Sequence, residues 1–127
     1  MSEAVRRWVE RSRYDLDTAT AMLASGRYLY VLFCCQQAVE KALKAVITTR
    51  TGTLPPRIHN LPRLAEAAQI DLPDDQAQFL GELSAYYIQS RYPEEISGLA
   101  STMTREAAQK ALKTTEETTQ WLFSILE

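Results

Sequence analysis

The chain has 127 residues, 46% of them apolar and 24% charged, with a formal net charge of −2. That is enough chain for one domain with a real core. No apolar run approaches the roughly 20 residues of a membrane-spanning helix, and a net negative charge argues against a dedicated nucleic-acid binder.

The charge is unevenly spread. Residues 1–63 hold ten Lys/Arg against five Asp/Glu, and residues 64–127 hold four against eleven, so the halves carry +5 and −7. Either the first half presents a basic surface or the two halves attract each other across a bundle. Residues 1–8 carry charge with no apolar stretch after them, which is not a signal-peptide pattern, so the cytoplasm is the expected location.

The spacing predicts a first helix over residues 3–24, where Val5, Trp8, Leu16, Ala19, Met22 and Leu23 recur at intervals of three and four. Gly26 ends it. Arg6, Arg7, Arg11 and Arg13 sit in its first turns, where positive charge opposes the helix dipole. They form either a solvated face or a phosphate-facing patch.

A second helix is expected over 28–49. Its first turns, from Tyr28 to Cys35, are apolar all round, and such a helix must be surrounded by other elements. Val39, Ala42, Leu43 and Val46 continue the buried stripe, Gln37, Lys41 and Lys44 share a polar face, and Gln36 and Glu40 form a neighbouring ridge. Gly52, Pro55 and Pro56 make a loop. Asn60 caps a short helix beginning Leu61-Pro62, with Leu64, Ala65 and Ala68 on one side.

A fourth helix is expected over 75–89, with Asp75 and Gln78 spaced as a capping box. Arg91-Tyr92-Pro93 breaks the pattern, and residues 94–101 read as irregular. The last helix runs over 105–126 behind Thr104, with a narrow seam of Ala108, Ala111, Thr115, Thr118, Leu122 and Ile125. The whole reads as an all-α, antiparallel up-and-down bundle of four long helices and one short one, in a single domain over 1–127.

Several chemistries are excluded. Four scattered glycines make no phosphate loop. One histidine and the adjacent pair Cys34-Cys35 have no metal-ligand spacing, and neighbouring helical cysteines do not bridge. No metal and no cofactor is expected. Three stretches stand out instead: residues 36–45, His59-Asn60-Leu61, and Tyr87 followed by Arg91-Tyr92-Pro93.

Together these stretches resemble the prokaryotic HEPN domain. Trp8 and Asp15-Leu16 match the first helix of such families. Tyr28, Phe33 and the Gln-Gln-Ala-x-Glu-Lys-Ala-x-Lys run at 36–44 match the second, and His59 to Leu61 and Arg91 to Pro93 match the later motifs. The likeness spans about residues 5–125. It implies a helical bundle, frequently a homodimer, encoded beside a minimal nucleotidyltransferase in a toxin–antitoxin-like pair. Many active relatives are metal-independent ribonucleases whose signature is Arg, four to six residues, then His at a dimer cleft.

This chain departs from that signature. No histidine follows Arg91, and Arg57 lies too close to His59 in sequence to replace it. RNA cleavage without metal needs proton transfer, which Arg cannot perform. The expectation is therefore a binding partner of the nucleotidyltransferase that contacts nucleotide, with Lys41, Lys44, Arg91, Tyr87, Tyr92 and His59 as candidate nucleotide or phosphate ligands. The alternative is a ribonuclease toxin using Arg91 with a non-standard His59. Each candidate also has a plain structural role open to it: Arg91 can pair with Glu94 or Glu95, the lysines can be solvated or pair with Glu40, His59 can brace its loop, and the tyrosines can pack.

Overall fold

The computed structural model describes residues 1–89, 92, 98 and 101–126. Among the described residues five helices are delimited in full: α1 (Glu3–Ala24), α2 (Tyr28–Thr51), α3 (Leu61–Ala67), α4 (Asp74–Gln89) and α5 (Arg105–Ile125). No strand occurs among the described residues.

Helix α1 begins where the Ser2 hydroxyl accepts the Val5 N–H at 3.2 Å, filling one of the four vacancies at a helix start. It stops in a Schellman motif. Arg27 N–H bonds the Met22 carbonyl at 2.9 Å, Gly26 N–H bonds Leu23, and Gly26 takes a φ of 78° that a side chain would resist. Only three residues separate α1 from α2, so the two run antiparallel, with Val5 and Val9 packed on Ala45.

Helix α2 is the axis of the bundle and packs against all four others. Val31, Cys35, Val39, Leu43 and Val46 are fully buried along it. It is not surrounded throughout, however. Tyr30 and Phe33 stay exposed, because the neighbours of its first half leave one flank uncovered. Both cysteines are free and buried. Burial pushes the Cys35 thiol up to about 12, the Thr115 hydroxyl beside it acting in the opposite sense. Cys34 is raised by burial and then by the charge of Asp15.

Asn60 caps α3 by accepting the Arg63 N–H at 3.0 Å. The helix ends in a second Schellman motif, Ile70 N–H to Ala65 and Gln69 N–H to Glu66, but here Gln69 holds the left-handed position at a φ of 58°. The Arg50 guanidinium, from the last turn of α2, donates to the Ala68 and Gln69 carbonyls at 3.0 and 2.7 Å.

Helix α4 starts at Asp74, one residue before the expected Asp75. Pro73 provides the first accepting carbonyl, to Ala77 N–H at 2.9 Å, so Asp75 lies inside the first turn. Its carboxylate accepts from Gln76 N–H, and Gln78 turns toward Glu82 instead of reaching back. Gly98 and Ser101 have helical backbone, in contrast to the irregular segment expected over 94–101. The remainder of 94–101 lies outside the described residues.

Thr104 caps α5 through the Ala107 N–H at 3.1 Å. The buried seam is Ala108, Leu112, Thr115, Thr118, Thr119 and Leu122, while Ala111 and Ile125 are only partly covered. No helix among the described residues is long and apolar enough to cross a membrane.

Among the described residues, no ion pair joins the two halves of the chain, and every ion pair joins partners within the first half. A cation–π contact does link them, with the Arg13 guanidinium 5.2 Å from the Phe123 ring centre.

Candidate functional site

Three polar residues of α2, Gln36, Glu40 and Lys44, stand one turn apart on a single ridge, and all three are buried. A charge inside a bundle demands partners, and Glu40 is where they converge. Lys44 Nζ donates to Oε2 at 3.0 Å, and Gln36 Nε2 donates to Oε1 at 3.2 Å. His59 Nδ1 lies 2.9 Å from Oε1. Gln36 Nε2 also bonds the His59 carbonyl at 3.0 Å, and Gln37 Nε2 donates to Gln36 Oε1 at 2.8 Å.

This network fixes a surface loop from beneath. His59 is tied through both its ring and its carbonyl, and Leu61 N–H is bonded by the buried Ser84 hydroxyl of α4 at 2.9 Å. A carboxylate can only accept, so the Nδ1–H tautomer of His59 makes the Glu40 bond and leaves Nε2 as the acceptor. The imidazole is 47% exposed, so that nitrogen has a route to solvent. The buried Tyr87 ring flanks it, centre to centre 5.3 Å, and Phe33 stacks on Tyr87 at 5.6 Å.

Lys41 and Lys44 do not act together. Lys44 belongs to the Glu40 ridge, its ammonium 5.6 Å from the Trp8 ring centre. Lys41 leans the other way to Asp15 of α1, at 2.5 Å, with both side chains largely covered. Beside that pair, Ser12 donates to the Ala38 carbonyl at 2.7 Å, fastening the same helix interface. Each candidate lysine is thus neutralised by a carboxylate of its own chain.

The structure brings His59 and Tyr87 together and leaves Tyr92 exposed, while Arg91 lies outside the described residues. The α1 arginines are divided. Arg6 and Arg7 pair with Glu3, Arg13 covers Phe123, and Arg7 and Arg11 line a shallow depression of about 460 Å³ with Trp8 and Lys41. Sequence reasoning does not find Glu40 as the hub, Asp15 as the partner of Lys41, or Phe33 as part of the ring cluster. The Glu40–Lys44 pair is legible as an i,i+4 contact. The other two join distant segments and leave no local signal. Among the described residues no group of three or more His, Cys, Asp or Glu side chains could hold a metal ion.

The fold and site define an all-helical bundle with a buried polar ridge on its central helix, bracing a histidine loop. The family model for the HEPN domain matches residues 5–126, and the chain belongs to the HEPN family. It is similar to the crystal structure of TT1696 from Thermus thermophilus, at 28% identity and a TM-score of 0.83, over 97% of this chain and 98% of that one. It also shares its fold with ST0689, an archaeal HEPN homologue, at 22% identity and a TM-score of 0.79, over 100% of both chains. No curated protein matches the chain.

Proposed function

We propose that this HEPN protein is the binding half of a two-protein system. In this reading it docks as a homodimer on a separately encoded minimal nucleotidyltransferase, in a toxin–antitoxin-like pair, and contacts nucleotide with the His59 face. The observation that carries the reading is the way the site's charges are spent internally. Lys41 and Lys44 are held by Asp15 and Glu40, and the chain's one histidine is held by Glu40. Together with the absence of any histidine after Arg91, this suits recognition better than turnover. Co-expression with the nucleotidyltransferase encoded beside it tests the reading: a stable complex on size exclusion is expected, and independent elution of the two proteins would reject it.

A second reading is a metal-independent ribonuclease using Arg91 and His59. What favours it is the Glu40–His59 contact, since a carboxylate on Nδ1 fixes the orientation of the imidazole and turns Nε2 outward, as a general base requires. Purified protein would then cleave RNA in the presence of a chelator, and both Arg91→Ala and His59→Ala would abolish the cleavage. Equal cleavage in all three proteins would point to a contaminant and reject this reading.

A further inference from the structure

Helices α4 and α5 each pack on α2, yet among the described residues they scarcely touch one another. Toward the gap between them α4 presents the large Phe79 and Tyr86, and α5 presents Ala107 and Ala111, which are too short to fill it. An open cleft of about 210 Å³ results, floored by the buried Leu32, Leu83 and Met103. An apolar cavity of about 150 Å³ holds a benzene ring. This cleft therefore has room for one large apolar side chain, whose transfer from water onto that floor is favourable.

The mouth of the cleft carries a charge of each sign. Glu82 stands on α4 and Lys110 on α5, both exposed, and neither is in an ion pair among the described residues. Glu82 accepts one hydrogen bond, from Gln78 Nε2 at 3.2 Å. The Lys110 ammonium and the Tyr86 hydroxyl donate none among the described residues. A polyphosphate or a simple carboxylic acid would be repelled by Glu82, and a simple amine by Lys110. A zwitterion meets each charge with its opposite: Lys110 and the Tyr86 hydroxyl can donate to its carboxylate, and Glu82 can accept from its ammonium.

We propose that the α4–α5 cleft binds a free α-amino acid with a large apolar side chain. The side chain lies on Leu32, Leu83 and Met103, the carboxylate faces Lys110 and the ammonium faces Glu82. This site uses none of the residues of the His59 face, and the proposal does not depend on a nucleotidyltransferase partner. So small a ligand in an open cleft binds weakly, with a Kd on the order of 1 mM or below.

Calorimetric titration of the full chain with phenylalanine, leucine and glycine tests it. Phenylalanine and leucine should bind, and glycine, which has no side chain for the floor, should not. N-acetylphenylalanine lacks the ammonium and phenylalaninamide lacks the carboxylate, and each should bind about five- to tenfold more weakly than phenylalanine. Glu82→Gln should remove the preference for phenylalanine over its N-acetyl derivative, and Lys110→Gln the preference over its amide. Both positions are exposed, and each preference is a ratio within one protein, so partial unfolding does not imitate the result. No binding of phenylalanine or leucine at about 10 mM would overturn the proposal. So would derivatives that bind as well as the parent, or preferences that survive both substitutions.

Discussion

Glu40 Oε1 lies 2.9 Å from His59 Nδ1, while the other oxygen of the same carboxylate holds Lys44 at 3.0 Å. One buried carboxylate thereby joins the central helix to the loop that leads into α3. Removing it strands a buried ammonium, a loss of about 3–5 kcal/mol for a broken buried pair. Glu40→Ala is expected to lower stability by that amount. Replacing both members, as Glu40→Leu with Lys44→Met, is expected to recover most of it, since well-packed apolar pairs substitute for buried ion pairs. Urea denaturation of the three proteins checks this, and a Glu40→Ala loss under about 1 kcal/mol would show that the carboxylate is not buried as described.

Gln69 occupies a left-handed position at the end of α3, a conformation that disfavours a side chain by roughly 1–2 kcal/mol. Gln69→Gly relieves that strain at the expense of some chain entropy, so the net gain should be about 0.5–1 kcal/mol. The melting temperature should rise. A fall would mean that the Gln69 side chain makes compensating contacts.

The cysteines supply a pH dependence. Folding raises the Cys35 pKa from 9.0 to about 12. Between those values the folded chain keeps a proton that the unfolded chain loses. The contribution to stability is therefore complete below pH 9.0 and lost as pH rises through about 12. A Cys35→Ala protein should show a shallower alkaline decline in denaturation midpoint than wild type. In the native state at about pH 8 a thiol-specific reagent should modify Cys35 only on unfolding. Rapid labelling without denaturant would contradict the burial.

Lys41 and Asp15 are paired at the α1–α2 interface and are largely covered. A double-mutant cycle with Asp15→Ala and Lys41→Ala should give a coupling of about 1 kcal/mol, at the upper end for pairs near the surface. A coupling indistinguishable from zero would mean that water screens the pair fully.

Much of this architecture is written in local patterns. Ser2, Asn60 and Thr104 stand where helices begin, Gly26 stands where the first one ends, and the start and end expected for α1 agree with the structure. Each of these signals acts over three or four residues. The one-residue difference at the start of α4 has the same origin: Asp75 and Gln78 have the spacing of a capping box, but the Pro73 carbonyl begins the helix first.

The polar side chains are another matter. Lys41 and Lys44 look alike in the sequence, three residues apart on an amphipathic helix. One turns to Asp15, 26 residues away, and the other to Glu40 inside the bundle, and only the packing of α1 against α2 assigns them. His59 is likewise a lone imidazole in a loop until α2 brings Glu40 beneath it and α4 brings Tyr87 beside it.

The sequence by itself determined the five long or short helices named above, the caps of α1, α3 and α5, the buried stripe of α2 and the family, because backbone satisfaction and apolar periodicity are short-range and repeat along the chain. The tertiary structure decided which charges are spent inside the molecule and which face outward. That choice depends on distance and desolvation between segments far apart in sequence, and no local pattern encodes either.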